Sequence, residues 1–538
     1  MLNTYTSTLV AQRVLSENFF TTRVDHKFSD NDSLFGTYVF DRTPYTLPDG
    51  FNDVLLGDLT FRQVFILEET HIFNPNFINT VRFGFNRNRV DNNESVSALN
   101  PAASDVSLGA VPGRAAAQLS VGGLTPFTGG VGGNTNYFFR WNSFQPSDDA
   151  FVTKGTHSLK FGFQAERMQL NVQSYSNPNG VFTFADLPGF LTNQATKFNS
   201  ALSGSIFDRG FRQTLYGAYI QDDWRFRPNL TLNLGLRYEM TTVMSETRGY
   251  LVNLVNPTDP SAHQGSPLYK NPTLKNFEPR IGFAWDPFHN GKTALRGGIG
   301  MFDVLPLPSQ YFLMENLAAP YYLLGSTSNK GLLAGKFFAG ALPLLTPSSL
   351  RTAYIENAPH RNYVMQWNMN VQRALTPTLT ATVGYVGSRG VHMPFRVDDI
   401  DMVIPTLVSG RYVWPCGPNG KGDPCGVGFL PTGTQAVPVP STQINPNFGS
   451  MRAMMYEGMS YYNALQFQMV KNMSHGVQVQ GAFTWAKSMD TGSATLAGDQ
   501  FGNSIQSLDY FDPRLGRALS DFNVGRTLVI NAIWRFRD

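Results

Sequence analysis

The stretch Pro228-Asn-Leu-Thr-Leu-Asn-Leu-Gly-Leu-Arg-Tyr-Glu239 decides the architecture. Leu230, Leu232, Leu234, Leu236 and Tyr238 alternate with Thr231, Asn233, Gly235, Arg237 and Glu239, the period of two that gives a strand one apolar and one polar face. Outward from it the alternation recurs, in Val81, Phe83 and Phe85 against Arg82, Gly84 and Asn86, and in Ile281, Phe283 and Trp285 against Arg280, Gly282 and Ala284. It returns in Trp367, Met369 and Val371, in Val477, Val479, Phe483 and Trp485, and near the end in Leu528, Ile530, Ala532, Trp534 and Phe536. The strands read as roughly ten to fourteen residues each, beyond the about five or six of a soluble strand and enough for a tilted strand to cross a bilayer.

The connections carry a second regularity. Short turns with Asn, Asp, Gly or Pro chemistry fall at Ser29-Asp-Asn-Asp32, Asn74-Pro-Asn76, Lys154-Gly155, Arg227-Pro-Asn229, His289-Asn-Gly291, Thr376-Pro377 and Met473-Ser-His475. Between them lie long polar or Gly/Pro-rich stretches at 43–60, 91–137, 173–211, 243–276, 304–360, 392–459 and 491–517. Short and long connections therefore alternate, which places all long loops at one end, as in an outer-membrane barrel with periplasmic turns and external loops. The expectation is an all-β, transmembrane antiparallel barrel with about 15 strands in this chain. Trp224 and Trp285 sit just before short turns and Trp367 and Trp485 near the far ends of their strands, so with Trp534 they are expected in aromatic girdles at the two interfaces.

Composition agrees with this reading. Charged residues make up 15% of the 538, against about 25% in soluble domains, and no apolar run has the length of a membrane helix. The net charge of +3 is spread without a basic cluster, which argues against nucleic acid as a partner. Cys416 and Cys425, close together in a Gly/Pro-rich stretch, suit one small disulfide loop, with two free thiols as the alternative.

Several segments resemble the TonB-dependent receptor barrel, and its Oar-like members in particular. They are Tyr219-Ile-Gln-Asp-Asp-Trp224 with the stretch quoted first, Asn276-Phe-Glu-Pro-Arg-Ile-Gly-Phe-Ala-Trp285, Gln366-Trp-Asn-Met-Asn-Val-Gln-Arg373, Val383-Gly-Tyr-Val-Gly-Ser-Arg-Gly390, and Tyr462-Asn-Ala-Leu-Gln466 leading to Phe483-Thr-Trp-Ala-Lys-Ser488. The resemblance implies a barrel of about 22 strands around an N-terminal plug, often with a carboxypeptidase-regulatory-like domain ahead of it. It also implies residence in the bacterial outer membrane, contact with its lipid, energy from the TonB system through the plug, and an external ligand that the sequence does not identify. No signal peptide is visible, nothing before Phe19 has the length of a plug, and the chain stops at Arg535-Phe-Arg-Asp538, so an internal fragment of a longer protein is expected.

Catalytic signatures are missing from the sequence. There is no Walker A run and no Gly-x-Ser-x-Gly elbow, and His26, His71, His157, His263, His289, His360, His392 and His475 show no metal-ligand spacing. No enzyme, metal or cofactor is expected. Gly129-Gly-Val-Gly-Gly133 and Gly297-Gly-Ile-Gly300 read as loop flexibility and barrel curvature, and Asp398, Asp399 and Asp401 as a solvated acidic turn rather than a calcium site. The candidate functional surface is the polar face of the strands: Arg237, Glu239, Arg280, Arg296, Gln366, Asn368, Asn370, Gln372, Gln466, Gln468, Gln478 and Gln480 are expected to line a lumen or meet a plug. The loop from Leu305 to Leu345, with Tyr311, Phe312, Tyr321, Tyr322, Phe337 and Phe338, is too apolar to lie free in water and is expected to pack on itself, with the barrel mouth or an external ligand as the other surfaces open to it. Uptake of a scarce ligand is the leading expectation, and surface adhesion without uptake the alternative.

Overall fold

The structure is a computed structural model, and it describes residues 12–48, 54–96, 105–124, 134–328, 330–336, 340–401, 406–415, 424–427, 443–493 and 510–536. Fifteen long strands follow one another: β1 (Asn18–Lys27), β2 (Asp32–Pro48), β3 (Val54–Asn74), β4 (Phe77–Val96), β5 (Asn134–Lys154), β6 (His157–Ser176), β7 (Asp208–Arg227), β8 (Leu230–Thr241), β9 (Phe277–Trp285), β10 (Thr293–Asp303), β11 (Tyr363–Thr376), β12 (Leu379–Val397), β13 (Ser450–Ser474), β14 (Val477–Asp490) and β15 (Arg526–Trp534). Each pairs antiparallel with the next, so the sheet is one continuous meander. Among the described residues no pairing joins β1 to β15, and both strands are exposed along their whole length. No helix among them is long and apolar enough to cross a membrane.

The strands run from 9 residues in β9 and β15 to 25 in β13, so the expected ten to fourteen was too narrow. The reason is physical. Alternation marks only the part of a strand that divides lipid from interior, whereas backbone pairing continues past the membrane into polar sequence, as in β2 and β3, which pair from Asp32↔His71 out to Pro48↔Leu55. The long connections shorten by the same amount.

Directly paired residues of antiparallel strands lie on the same face, so the register sorts every side chain. One face carries Val81, Phe83, Phe161, Phe163, Ile220, Leu234, Leu236, Ile281, Ile299, Met369 and Met469, all large apolar groups left exposed. Such a surface is stable only against lipid. The opposite face carries Leu170, Val172, Phe211, Met454 and Tyr456, and on it the long loops fold. The loop helix Pro308–Glu315 places Tyr311, Phe312 and Met314 in this cluster together with Leu251, Val252, Tyr269 and Ile355, and Phe312 meets Phe139 edge-on at 5.5 Å. One core thus bridges β6 and β7 to β13, six strands away, so the sheet curls with this face inward and the loops span its mouth.

A second small sheet, from Gln118–Val121, Val181–Phe184, Ala195–Ala201 and Leu324–Thr327, extends the cap. Phe182, Phe184, Phe198, Leu333 and Leu345 form its core. The Leu305–Leu345 stretch therefore packs both against its neighbouring loops and into the mouth, and Tyr322 ties it down by donating to Ser176 O at 2.5 Å and accepting from Ser176 N at 2.8 Å. Phe337 and Phe338 lie outside the described residues, as do Gly129–Gly133.

Candidate functional site

The inward face of β7 to β11 holds a chain of charges built strand by strand. Register sets Tyr219 opposite Arg237, Arg237 opposite Glu278, and Arg280 opposite Gly300. Tyr219 donates its hydroxyl to Asp149, and the Arg237 guanidinium lies over the Tyr219 ring at 5.9 Å. Arg237 Nε donates to Glu239 at 2.6 Å, and Arg280 donates to Glu278 at 2.6 Å while stacking on Phe302 at 4.4 Å. The Asp303 backbone N–H donates to the second Glu278 oxygen at 3.2 Å, while the Asp303 side chain, of outward parity at the loop end of β10, is gripped by Arg361 through two hydrogen bonds, 2.7 and 2.9 Å. The buried carboxylates are each met by a guanidinium, the arrangement that keeps charge tolerable on a wall of low dielectric.

Next to this chain is a recess of about 290 Å³ lined by Gln221, Asn233, Arg280, Phe302, Gln366 and Asn368. Its floor is glycine: Gly235, Gly282, Gly298 and Gly300 all face inward. A Cβ at Gly300 would come within 3.1 Å of the Phe302 ring and 3.4 Å of Arg280 Cγ, so a side chain there would fill the space. Gly297, by contrast, faces outward beneath Phe283, with 2.8 Å left for a Cβ. The Gly297–Gly300 run thus serves two surfaces, close packing outside and a hollow inside.

The register places every expected lumen residue on this one face. Gln366, Asn368, Asn370 and Gln372 stand opposite Gly300, Gly298, Arg296 and Ala294, and Arg296 donates to Gln372 Oε1 at 2.6 Å. Gln466 and Gln468 follow through Gly384 and Thr382 of β12, and Gln480 through Val470 of β13, with Gln478 one inward step further along β14. Arg237, Glu239, Arg280, Gln366 and Asn368 gather at or beside the recess, whereas the four β13 and β14 glutamines lie two to four strands away. Trp224, Trp285, Trp367, Trp485 and Trp534 all take the outward face. The first two and Trp534 lie at the short-turn ends, with Trp534 opposite Val477, and Trp367 and Trp485 lie in the loop-side halves of β11 and β14. Cys416 lies outside the described residues, and the expected Cys416–Cys425 bridge with it.

Two sites differ from expectation. The acidic run at 398–401 is an internal clasp, not a solvated turn: Asp399 accepts from Met451 N and Asp401 N at 2.9 Å each, Asp401 accepts from Asn445 N at 2.8 Å, and Asp398 pairs with Arg452 at 3.3 Å. Burial raises the Asp401 carboxyl to about 6. The run is pulled inward because the long loop after β12 folds back over the strand ends, which local composition does not encode. In addition, Asp32, Glu69 and His71 bring ligand atoms within 4.8 Å of one another on the outward face near a short turn, with His71 Nδ1 already bonded to Asp32. Spacing along the chain hides this group because Asp32 and His71 meet only through the β2–β3 register.

A family model described as the outer membrane beta barrel domain matches residues 2–537, nearly the whole chain. The chain belongs to that family. Its barrel sheet is also similar, at low identity, to solved structures of larger proteins. The outer membrane transporter YddB from Escherichia coli is 11% identical, with TM-score 0.47, 96% of this chain and 61% of that one covered. The ferripyoverdine receptor of the outer membrane of Pseudomonas aeruginosa is 10% identical, with TM-score 0.49 and coverages of 98% and 53%. The alcaligin outer membrane receptor FauA from Bordetella pertussis is 10% identical, with TM-score 0.43 and coverages of 88% and 54%. The barrel chain thus spans between half and two thirds of their length. The comparison with curated proteins returns no match. Outer-membrane residence follows from the family, and with it the orientation: short turns to the periplasm, long loops and cap to the outside.

Proposed function

We propose that the barrel takes up a polar solute across the outer membrane with energy from the TonB system, its loop cap meeting the ligand and its inward wall guiding passage. The observation that carries this reading is the glycine-floored recess beside Arg280, Gln366 and Asn368. A wall that only filled space would hold side chains at four neighbouring positions where this one keeps glycine, and the amide and guanidinium groups around the hollow suit hydrogen bonding to a hydrated solute. The likeness of the segments named above to TonB-dependent receptors supports energy coupling, which a plug in the lumen would transmit. This reading takes the chain as part of a longer barrel in which β1 and β15 find strand partners, since unpaired edges are not stable in lipid.

The test uses cells with and without the gene, grown in a complex medium whose solutes are followed by mass spectrometry. Gene-dependent depletion of a polar solute, abolished by a protonophore, is the expected result. Solute bound at the surface without depletion, or depletion indifferent to the protonophore, would replace transport with the surface-contact reading, which the extensive folded cap also suits.

A further inference from the structure

Above the outward apolar belt, β4 to β7 carry a band of arginine. Phe85 and Phe144, 5.2 Å apart, close the belt, and Arg167 stands opposite Phe144. One step toward the loops, register aligns Arg87, Asn142, Gln169 and Arg212, and the next row is Arg89, Arg140, Asn171 and Gly210. These residues alternate with Leu170 and Phe211, which face inward, so the whole band faces out. Arg248 joins it from the loop after β8.

The charges are not balanced within the protein. Arg89 pairs with Asp91, and Arg248 with Asp208 at 2.8 Å. Among the described residues Arg87, Arg140, Arg167 and Arg212 make no ion pair, although Arg167 donates to Thr214 Oγ1 and Arg212 to the Phe211 carbonyl, each at 2.8 Å. Between Arg140 and Arg248 lies a recess of about 340 Å³ that Asn171, Gln173, Thr247 and the Asp208 carboxylate paired with Arg248 also line. Its floor is Gly210, where a Cβ would come within 2.6 Å of Thr247 Oγ1. Four guanidinium groups without an ion pair, beside a hydrogen-bonding hollow and directly above the Phe85–Phe144 row, with exposed Phe163 and Phe161 further down the same face, match an amphiphile with an anionic head and apolar tails.

We propose that this outward face of β4 to β7 holds a phosphorylated lipid headgroup of the outer leaflet, one phosphate in the recess at Arg140 and Arg248 and the remaining negative charge over Arg87, Arg167 and Arg212. A lipid answers both halves of the surface at once, whereas a free anion would leave the apolar belt below it unused. Guanidinium is suited to the task because it binds phosphate through paired donors while its stem lies along apolar surface.

The test titrates the full chain, purified in a zwitterionic detergent, with fluorescent diphosphoryl lipid A and with its dephosphorylated counterpart in mixed micelles. At least tenfold preference for the phosphorylated lipid is expected. The preference should vanish in R87Q/R140Q/R167Q/R212Q and survive in the corresponding lysine quartet. Equal retention of both lipids by the unaltered protein would overturn the proposal without any variant having to fold. So would a preference unchanged in the glutamine quartet, or full displacement of the lipid by an equal concentration of inorganic phosphate, which would mark a site for soluble anions.

Discussion

Glu315, in the loop helix that caps the mouth, shows how one side chain links the cap to pH. It is fully buried, accepts from Val252 N at 2.9 Å, and is pushed by burial to about 8, with the hydrogen bond and Arg209 opposing the shift only in part. A carboxyl raised in the folded state binds its proton there while the unfolded chain has already lost it. Its contribution is therefore complete below about pH 4 to 5 and is lost as pH rises through about 8. The urea midpoint for cap unfolding, read by fluorescence of the protein in lipid vesicles, should fall across that window, and E315Q should flatten the fall. A midpoint that rises with pH would refute the assignment. On the inward wall, R280A should cost about 3 kcal/mol because it strands the buried Glu278 carboxylate. R296A, whose partner is the neutral Gln372, should cost about 1 kcal/mol or less, measured by the same unfolding experiment. The face of each of these wall residues is legible in the sequence from its parity with neighbouring leucines and tryptophans. Their partners are legible only in part: Arg280 takes Glu278 from two residues back on its own strand, whereas Arg296 reaches Gln372 only because β10 and β11 pair in one register across a long loop.

Strands, turns and cap differ in how far the sequence discloses them. The seven short turns are legible because the backbone demands particular residues, as at His475 and Gly476, both left-handed with φ of 53° and 76°. G476V should therefore cost at least about 1–2 kcal/mol, more if the 2.7 Å approach of a Cβ to Arg535 O is not relieved, seen as a lowered urea midpoint. The cap is less legible. Its small sheet joins segments from three separate loops, and the buried clasp at Asp399 and Asp401 depends on Met451 and Asn445 from the far end of the same long connection. Side-chain ties hold such a structure where period-two patterning cannot. Y322F removes both hydrogen bonds to Ser176 and should loosen the cap by about 1–3 kcal/mol, raising its protease sensitivity while the strands stay protected. Cleavage at an unchanged rate would mean the aromatic packing against Phe207 suffices.

For the whole molecule the open question of energy lies at the edges. β14 satisfies one side of β15, and β2 one side of β1, and the other side of each edge has no strand partner among the described residues. In a membrane those groups need partners, so hydrogen exchange in the native outer membrane should find the backbone amides on both sides of β15 equally slow. Fast exchange on the side away from β14 would show an edge in contact with water and sink the closed-barrel reading. One further consequence follows from the core that brings Leu170 and Phe211 together with Tyr311 and Tyr456. The meander itself has low contact order, since each hairpin needs only its predecessor and can zip into the bilayer in turn. The cap does not share that economy: Tyr456 belongs to the thirteenth strand, and until it arrives the aromatic loops have nothing to close upon. The finished cap is thus an assembly checkpoint, a surface that exists only on a barrel wall that has been laid down in order.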